Sequence, residues 1–232
     1  MKKAINALLC AAMAVLIFAA SASGSIHHMI GSDLLQTLDN RLSDELMQRP
    51  RLPNRDIYVI GIDETSLREL GPWTSWKRDI MADMIDTLNS DPASKPAVIG
   101  IDVSYFNHTD PAADARLAQA AAQGGNVVVA CEAVFSDVLM YDVKGLPYLN
   151  RMQISTLDYP YSELRAATSQ GIINTLPESD GVIRNCIHKV SYDGQDIYGF
   201  AYEVYKKYAE HVGLPTEINP PLDKLSRMHI PF

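Results

Sequence analysis

The chain has 232 residues, of which 47% are hydrophobic and 21% charged, the balance of a globular protein with room for one substantial domain and a short appendage. It carries 20 basic and 28 acidic residues for a net charge of −8, with no basic stripe interleaved with aromatics. That argues against a nucleic-acid surface and leaves a small-molecule or protein signal as the expected partner.

Residues 1–23 differ from everything after them. Lys2 and Lys3 lead into Ala4 to Ala20, a run without charge and with only Asn6 as a clearly polar interruption. Such a segment directs a chain to the membrane. It is either a signal peptide, with Ala20-Ser21-Ala22 as the small-residue cleavage site, or an uncleaved anchor embedded through residues 4–22. In both cases the two lysines stay on the cytoplasmic side, so the globular part is expected outside the cytoplasm, extracellular or periplasmic.

Residues 24–53 read as a juxtamembrane helix. Ser32 and Asp33 offer its N-cap, Leu35, Leu38, Leu42 and Leu46 form a narrow seam, and Pro50 and Pro53 end it. The seam packs either on a second copy, giving a homodimer, or on its own domain. His27 and His28 have no further ligand at metal spacing and read as a solvated pair.

Residues 54–232 make the extracytoplasmic domain. Asp56 to Asp63 reads D-I-Y-V-I-G-I-D, and Val98 to Asp102 repeats V-I-G-I-D. Both are short apolar runs rich in β-branched residues, the pattern of strands buried on both faces, and they are expected to be parallel neighbours. Between them, Trp76 to Asn89 places Ile80, Met81, Met84, Ile85 and Leu88 on one helical stripe, a crossover for a βαβ unit.

Asp110-Pro111 caps an alanine-rich helix ending at Gly124-Gly125, and Asn126 to Val134 is a third buried strand. Phe135 to Pro160 is expected as a loop or hairpin insertion. A short helix from Ser162 to Ala167, a strand at Gly171 to Asn174, a turn at Pro177 to Gly181 and a strand over Val182 to Val190 follow. Asp193-Gly194 reverses the chain into an antiparallel hairpin, Tyr198 to Val212 is a covering helix, and Met228 to Phe232 begins another strand. The fold class is α/β, a parallel βαβαβ core with covering helices. Cys131 and Cys186 lie on predicted strands and are either disulfide-paired or free and packed.

In an open parallel sheet, ligands bind beyond the carboxyl ends of the strands. That rule nominates Asp63, Glu64, Ser66, Trp73, Arg78, Asp102, Ser104 and Tyr105 as lining a recognition crevice. An aspartate after a strand also serves simply as the cap of the next helix. The chain contains no G-x-S-x-G, no P-loop, no G-x-G-x-x-G after a strand and no zinc-spaced Cys/His group, so no catalytic residue, metal or cofactor is assigned.

The pieces D-I-Y-V-I-G-I-D-E-T-S-L-R-E-L-G-P-W, W-K-R, A-V-I-G-I-D-V-S-Y-F, D-P-A-A-D-A-R-L-A-Q-A, G-N-V-V-V-A and G-I-I-N-T-L-P-E-S-D-G-V-I-R-N, in this order from about Leu34 to Tyr208, resemble the second type of CHASE domain. The resemblance implies an extracytoplasmic sensing module attached to a bacterial adenylate or guanylate cyclase, a histidine kinase or another output. That output, together with a further glycine-rich strand and a helix, is expected beyond these residues. Where the family usually has W-P-W-P-R this chain has W-T-S-W-K-R, and a histidine common in the following helix is Met81. The leading expectation is thus a sensor. The alternatives are a dimerisation module without a ligand and an exported hydrolase using Asp63 and Asp102 around a metal.

Overall fold

A computed structural model describes residues 40–42, 44–45, 54–141, 143, 145–178, 180–223 and 225–230. It divides into two units, Met1–Asn54 with Pro177–Val182 and Pro231–Phe232, and Arg55–Leu176 with Ile183–Ile230. In the first unit, residues 40–42 and 44–45 are helical with Leu42 exposed, and Asn40 Nδ2 donates to Glu178 Oε2 at 3.4 Å. Its turn is closed by the Glu178 and Gly181 amides, which donate to the carbonyls of Val182 and Glu178. The leader, residues 1–23, and the seam leucines Leu35, Leu38 and Leu46 lie outside the described residues. Among the described residues no helix is long and apolar enough to cross a membrane.

The second unit is built on α1 (Glu64–Leu70), a 3₁₀ turn (Trp73–Ser75), α2 (Arg78–Asn89), β1 (Ile99–Ile101), α3 (Pro111–Gly124), β2 (Val127–Tyr141), β3 (Pro147–Asp158), α4 (Ser162–Ala167) and β4 (Ser169–Ile172). It continues with β5 (Asn185–Ile187), β6 (Lys189–Tyr192), β7 (Gln195–Tyr198), α5 (Phe200–Val212) and β8 (Arg227–His229). The first half of β2 is the centre of the sheet. It pairs in parallel with β1, Ile99 opposite Val127, and in parallel with β4, Val128 opposite Ser169. Its second half leaves the core and pairs antiparallel with β3 from Glu132–Asp158 out to Tyr141–Pro147, with irregularities at Val134/Phe135 and Ser136/Val138. The expected insertion over 135–160 is this hairpin.

One face of the sheet packs Ile99, Ile101, Val127 and Val129 against Ala82 and Ile85 of α2, Leu117, Ala120 and Ala121 of α3 and Leu164 of α4. The alanines of α3 are what allow a helix to settle this close to β-branched strand residues. Asp110 starts α3 by accepting from the amides of Ala112 and Ala113, and Gly125 ends it at φ 69. A second cluster joins Cys131, Ala133, Ile154, Ile172, Ile187 and Val190. Between β2 and the chain after β4, Asn174 substitutes for a strand partner: its Oδ1 accepts from Ala133 N at 2.7 Å and its Nδ2 donates to Ala133 O at 2.9 Å. Asp193 and Gly194, at φ 50 and 74, make the tight reversal between β6 and β7, and β5 pairs antiparallel with β8.

The sequence reading fails at its first strand. Ile57–Ile62 lies outside every sheet, and β1 takes β2, not Asp56–Asp63, as its parallel neighbour. Tyr58, Val59 and Ile60 are 86%, 90% and 65% exposed. Their β-branched, apolar pattern expresses fitness for a pleated, buried surface, whereas a strand exists only where an edge is engaged. Both Cys131 and Cys186 are free; burial pushes the Cys131 thiol up to about 12 and raises that of Cys186.

α5 meets the sheet at glycines. A Cβ on Gly171 would sit 2.4 Å from Phe200 Cα, and one on Gly199 2.2 Å from the Ile187 carbonyl oxygen. Backbone cannot swing aside as a side chain does. Gly171→Ala is therefore expected to cost about 3 kcal/mol, the upper part of the usual overpacking range, read as a lowered urea midpoint with unchanged slope. A midpoint equal to that of the parent chain would show that α5 does not rest on β4.

Candidate functional site

The loop after β1 turns around one buried cation. Arg78, the first residue of α2, is 9% exposed and lies 2.7 Å by its Nη1 from Oδ1 of Asp114, itself 3% exposed in the first turn of α3. Nη2 donates to the Asn107 carbonyl. The guanidinium lies over the Tyr161 ring at 4.4 Å and the Tyr105 ring at 5.2 Å from their centroids. Asp114 also accepts from the Thr109 amide at 2.9 Å and the Thr109 hydroxyl at 3.1 Å. Tyr161 closes the cage, its hydroxyl donating to the Asp114 carbonyl at 2.8 Å and its amide to the Tyr105 carbonyl at 2.9 Å. Burial pushes both tyrosine hydroxyls up to about 12, against the lowering effect of Arg78. They stay neutral.

Above this cage opens a cleft of about 650 Å³, lined by Phe106, Asn107, His108, Pro160, Tyr161, Ser162, Arg165, Ala166 and Gln170. His108 Nε2 lies 2.8 Å from Glu163 Oε2, and Ser162 Oγ donates to the same oxygen at 2.8 Å. Those two contacts, His108 first, hold the Glu163 carboxyl down to about 2. The His108 ring also lies against Tyr161, 5.2 Å between centroids. Arg165 lies over Tyr159, its guanidinium carbon 3.6 Å from the ring centroid. Gln170 Nε2 donates to the Arg165 carbonyl at 2.9 Å and to the Thr168 hydroxyl at 3.0 Å. The cleft thus combines an aromatic floor and a braced guanidinium, with the Glu163 carboxylate fixed against its lining residues His108 and Ser162, an arrangement suited to a small polar molecule.

The eight residues nominated from the sequence fall into separate local structures. Arg78 and Tyr105 come together in the cage. Asp63 and Ser66 meet at the start of α1, where Asp63 Oδ1 accepts from the Ser66 amide and hydroxyl, each at 2.9 Å. This capping holds the exposed Asp63 carboxyl below the usual range. Glu64 opens the same helix, exposed. Trp73 packs on Trp76 at 5.1 Å between centroids, and the Trp76 indole donates to the Gly71 carbonyl at 2.7 Å. Asp102 and Ser104 are exposed in the loop after β1. Asp114, Tyr161, Glu163 and Arg165 escaped the sequence reading. In sequence Asp114 is indistinguishable from an ordinary acid in the first turn of a helix, and nothing local announces that residues near 108 and 163 meet. Among the described residues there is no group of three or more His, Cys, Asp or Glu side chains that could hold a metal ion.

The cleft and cage lie within a stretch recognised as a whole: a family model, the CHASE2 domain, matches residues 11–232. No curated protein and no solved structure matches the chain. CHASE2 is an extracellular sensory domain family of signalling receptors. With nearly its full length covered by that match, the chain belongs to the CHASE2 domain family.

Proposed function

We propose that the chain is the extracytoplasmic sensor of a membrane receptor, held at the membrane through residues 4–22, and that a small polar ligand is received in the cleft over the Arg78–Asp114 cage. The observation that carries this reading is the cleft itself. Within a sensory domain, its lining sets Arg165 and His108, the latter held by Glu163, over an aromatic floor whose tyrosine is fixed at both its hydroxyl and its amide. A zwitterion fits this charge pattern, its anionic group toward Arg165 and its cationic group toward Glu163. Binding there draws α4 and the loop after β1 together, a small change between two arrangements of the kind a receptor passes inward. In this reading the sensor works as a homodimer and drives a cytoplasmic output such as a nucleotide cyclase or a histidine kinase.

The proposal is tested by titration calorimetry of the full chain against pools of free amino acids and small carboxylates. Saturable binding is expected, weakened at least tenfold, about 1.4 kcal/mol, by Arg165→Ala or by His108→Ala. Both side chains are solvent-facing, so folding is retained. Binding that ignores both substitutions but disappears with Asp63→Ala or Asp102→Ala would move recognition to the start of α1 or to the loop after β1, respectively. Binding that ignores all four would overturn a site on this side of the sheet.

The state of Glu163 provides a second readout. Its carboxyl is held from the usual 4.5 down to about 2, so the contact with His108 and Ser162 is complete above pH 4.5 and is lost only as the pH falls through about 2. Carbon-detected NMR of the labelled carboxyl is expected to show a midpoint near 2, moving up toward the ordinary glutamate value in His108→Ala. An ordinary midpoint in the parent chain would remove the fixed carboxylate from the site.

A further inference from the structure

We propose that Ile57–Ile62 is an exchanged arm, which docks as a parallel strand on the open edge of β1 in a second copy of this chain while the second copy's arm docks in return. Two complementary observations carry this, and neither depends on the cleft. The first is the acceptor. Among the described strands β1 pairs with β2 alone, so one row of its backbone donors and acceptors has no ladder. Unpaired edges are templates for strand addition. The second is the donor, a run of five apolar residues and one glycine in which Ile57, Tyr58, Val59, Ile60 and Ile62 are all more than 40% exposed.

The two fit in register. Setting Ile60 beside Ile99, Gly61 beside Gly100 and Ile62 beside Ile101 aligns the identical V-I-G-I-D runs. Ile60 and Ile62 then extend the layer in which Ile99 and Ile101 are buried against α2 and α3. Gly61 falls beside Gly100, where a Cβ would already meet Phe200 at 3.1 Å and Val204 at 3.2 Å. A slip by one residue would carry an isoleucine to the face that Gly100 keeps low beneath α5, so the pattern selects one register.

The arm's own attachment points to a second copy as the recipient. α1, which follows it directly, buries none of its residues, and Gly71 after α1 takes φ 86, a conformation open to glycine. Arm and hinge stand clear of their own core while α2 is already seated on the sheet. Exchange of such an element between identical chains is a low-cost route to a dimer, because each copy completes the other's sheet with contacts both already encode.

The test is oxidative cross-linking of the full chain. A tagged chain carrying Val59→Cys is co-expressed with one carrying Val98→Cys, beside the parent chain treated with the same oxidant to account for its native cysteines. A mixed, disulfide-linked dimer is expected, together with at least a tenfold weakening of dimerisation by Ile60→Lys in sedimentation. A double variant, Val59→Cys with Val98→Cys, that links only within a monomer would overturn the exchange in favour of pairing inside one chain. Absence of either link, or a dimer indifferent to Ile60→Lys, would overturn it as well.

Discussion

The fold around the site depends on one buried ion pair. Arg78 and Asp114 stand 36 residues apart in sequence and meet at 2.7 Å with almost no solvent access. A charge taken out of water is tolerable only when its counter-charge and hydrogen bonds are all in place. Here they are. The guanidinium has the Asp114 carboxylate, the Asn107 carbonyl and two aromatic faces, and the carboxylate has Arg78 and both donors of Thr109. Among the described residues no buried side-chain nitrogen or oxygen lacks a partner. Because those partners are spread over several elements, the pair fixes the start of α2, the loop after β1, the start of α3 and, through Tyr161, the start of α4.

A cation so placed explains why the cleft has a rigid back and a softer front. Tyr161 is clamped by its hydroxyl and its amide, so the floor cannot tilt without disturbing the ion pair. His108, Glu163 and Arg165, by contrast, are surface side chains joined by contacts that water can replace. A sensor needs this division. The rear defines the shape that a signal must match, and the front supplies groups whose arrangement the signal can change.

Much of the fold was legible because its signals are local. The capping of α3 by Asp110-Pro111, the Asp193-Gly194 reversal, the glycines that end α3 and α5 and the helical stripes of α2 and α5 all depend on neighbours a few residues away. The family resemblance was legible for a related reason, since its pieces are contiguous runs. What stayed hidden is long-range. The position of Asp114 at the start of α3 looks like a favourable helix-dipole acid, and only the packing of α2 on α3 turns it into the partner of Arg78. Ile57–Ile62 shows the converse case, a convincing strand pattern that β1 of its own chain does not engage, because periodicity records which side chains tolerate burial and not which backbone they find.

The continuity of β2 has a mechanical consequence. Its 15 residues span about 50 Å as a single strand, with one end clamped between β1 and β4 and the other carried outward in the hairpin with β3. Force applied near Tyr141 acts on the parallel core as torque on a beam rather than as a local dent. The two register irregularities near Phe135 are the points of compliance that set how much of that torque arrives.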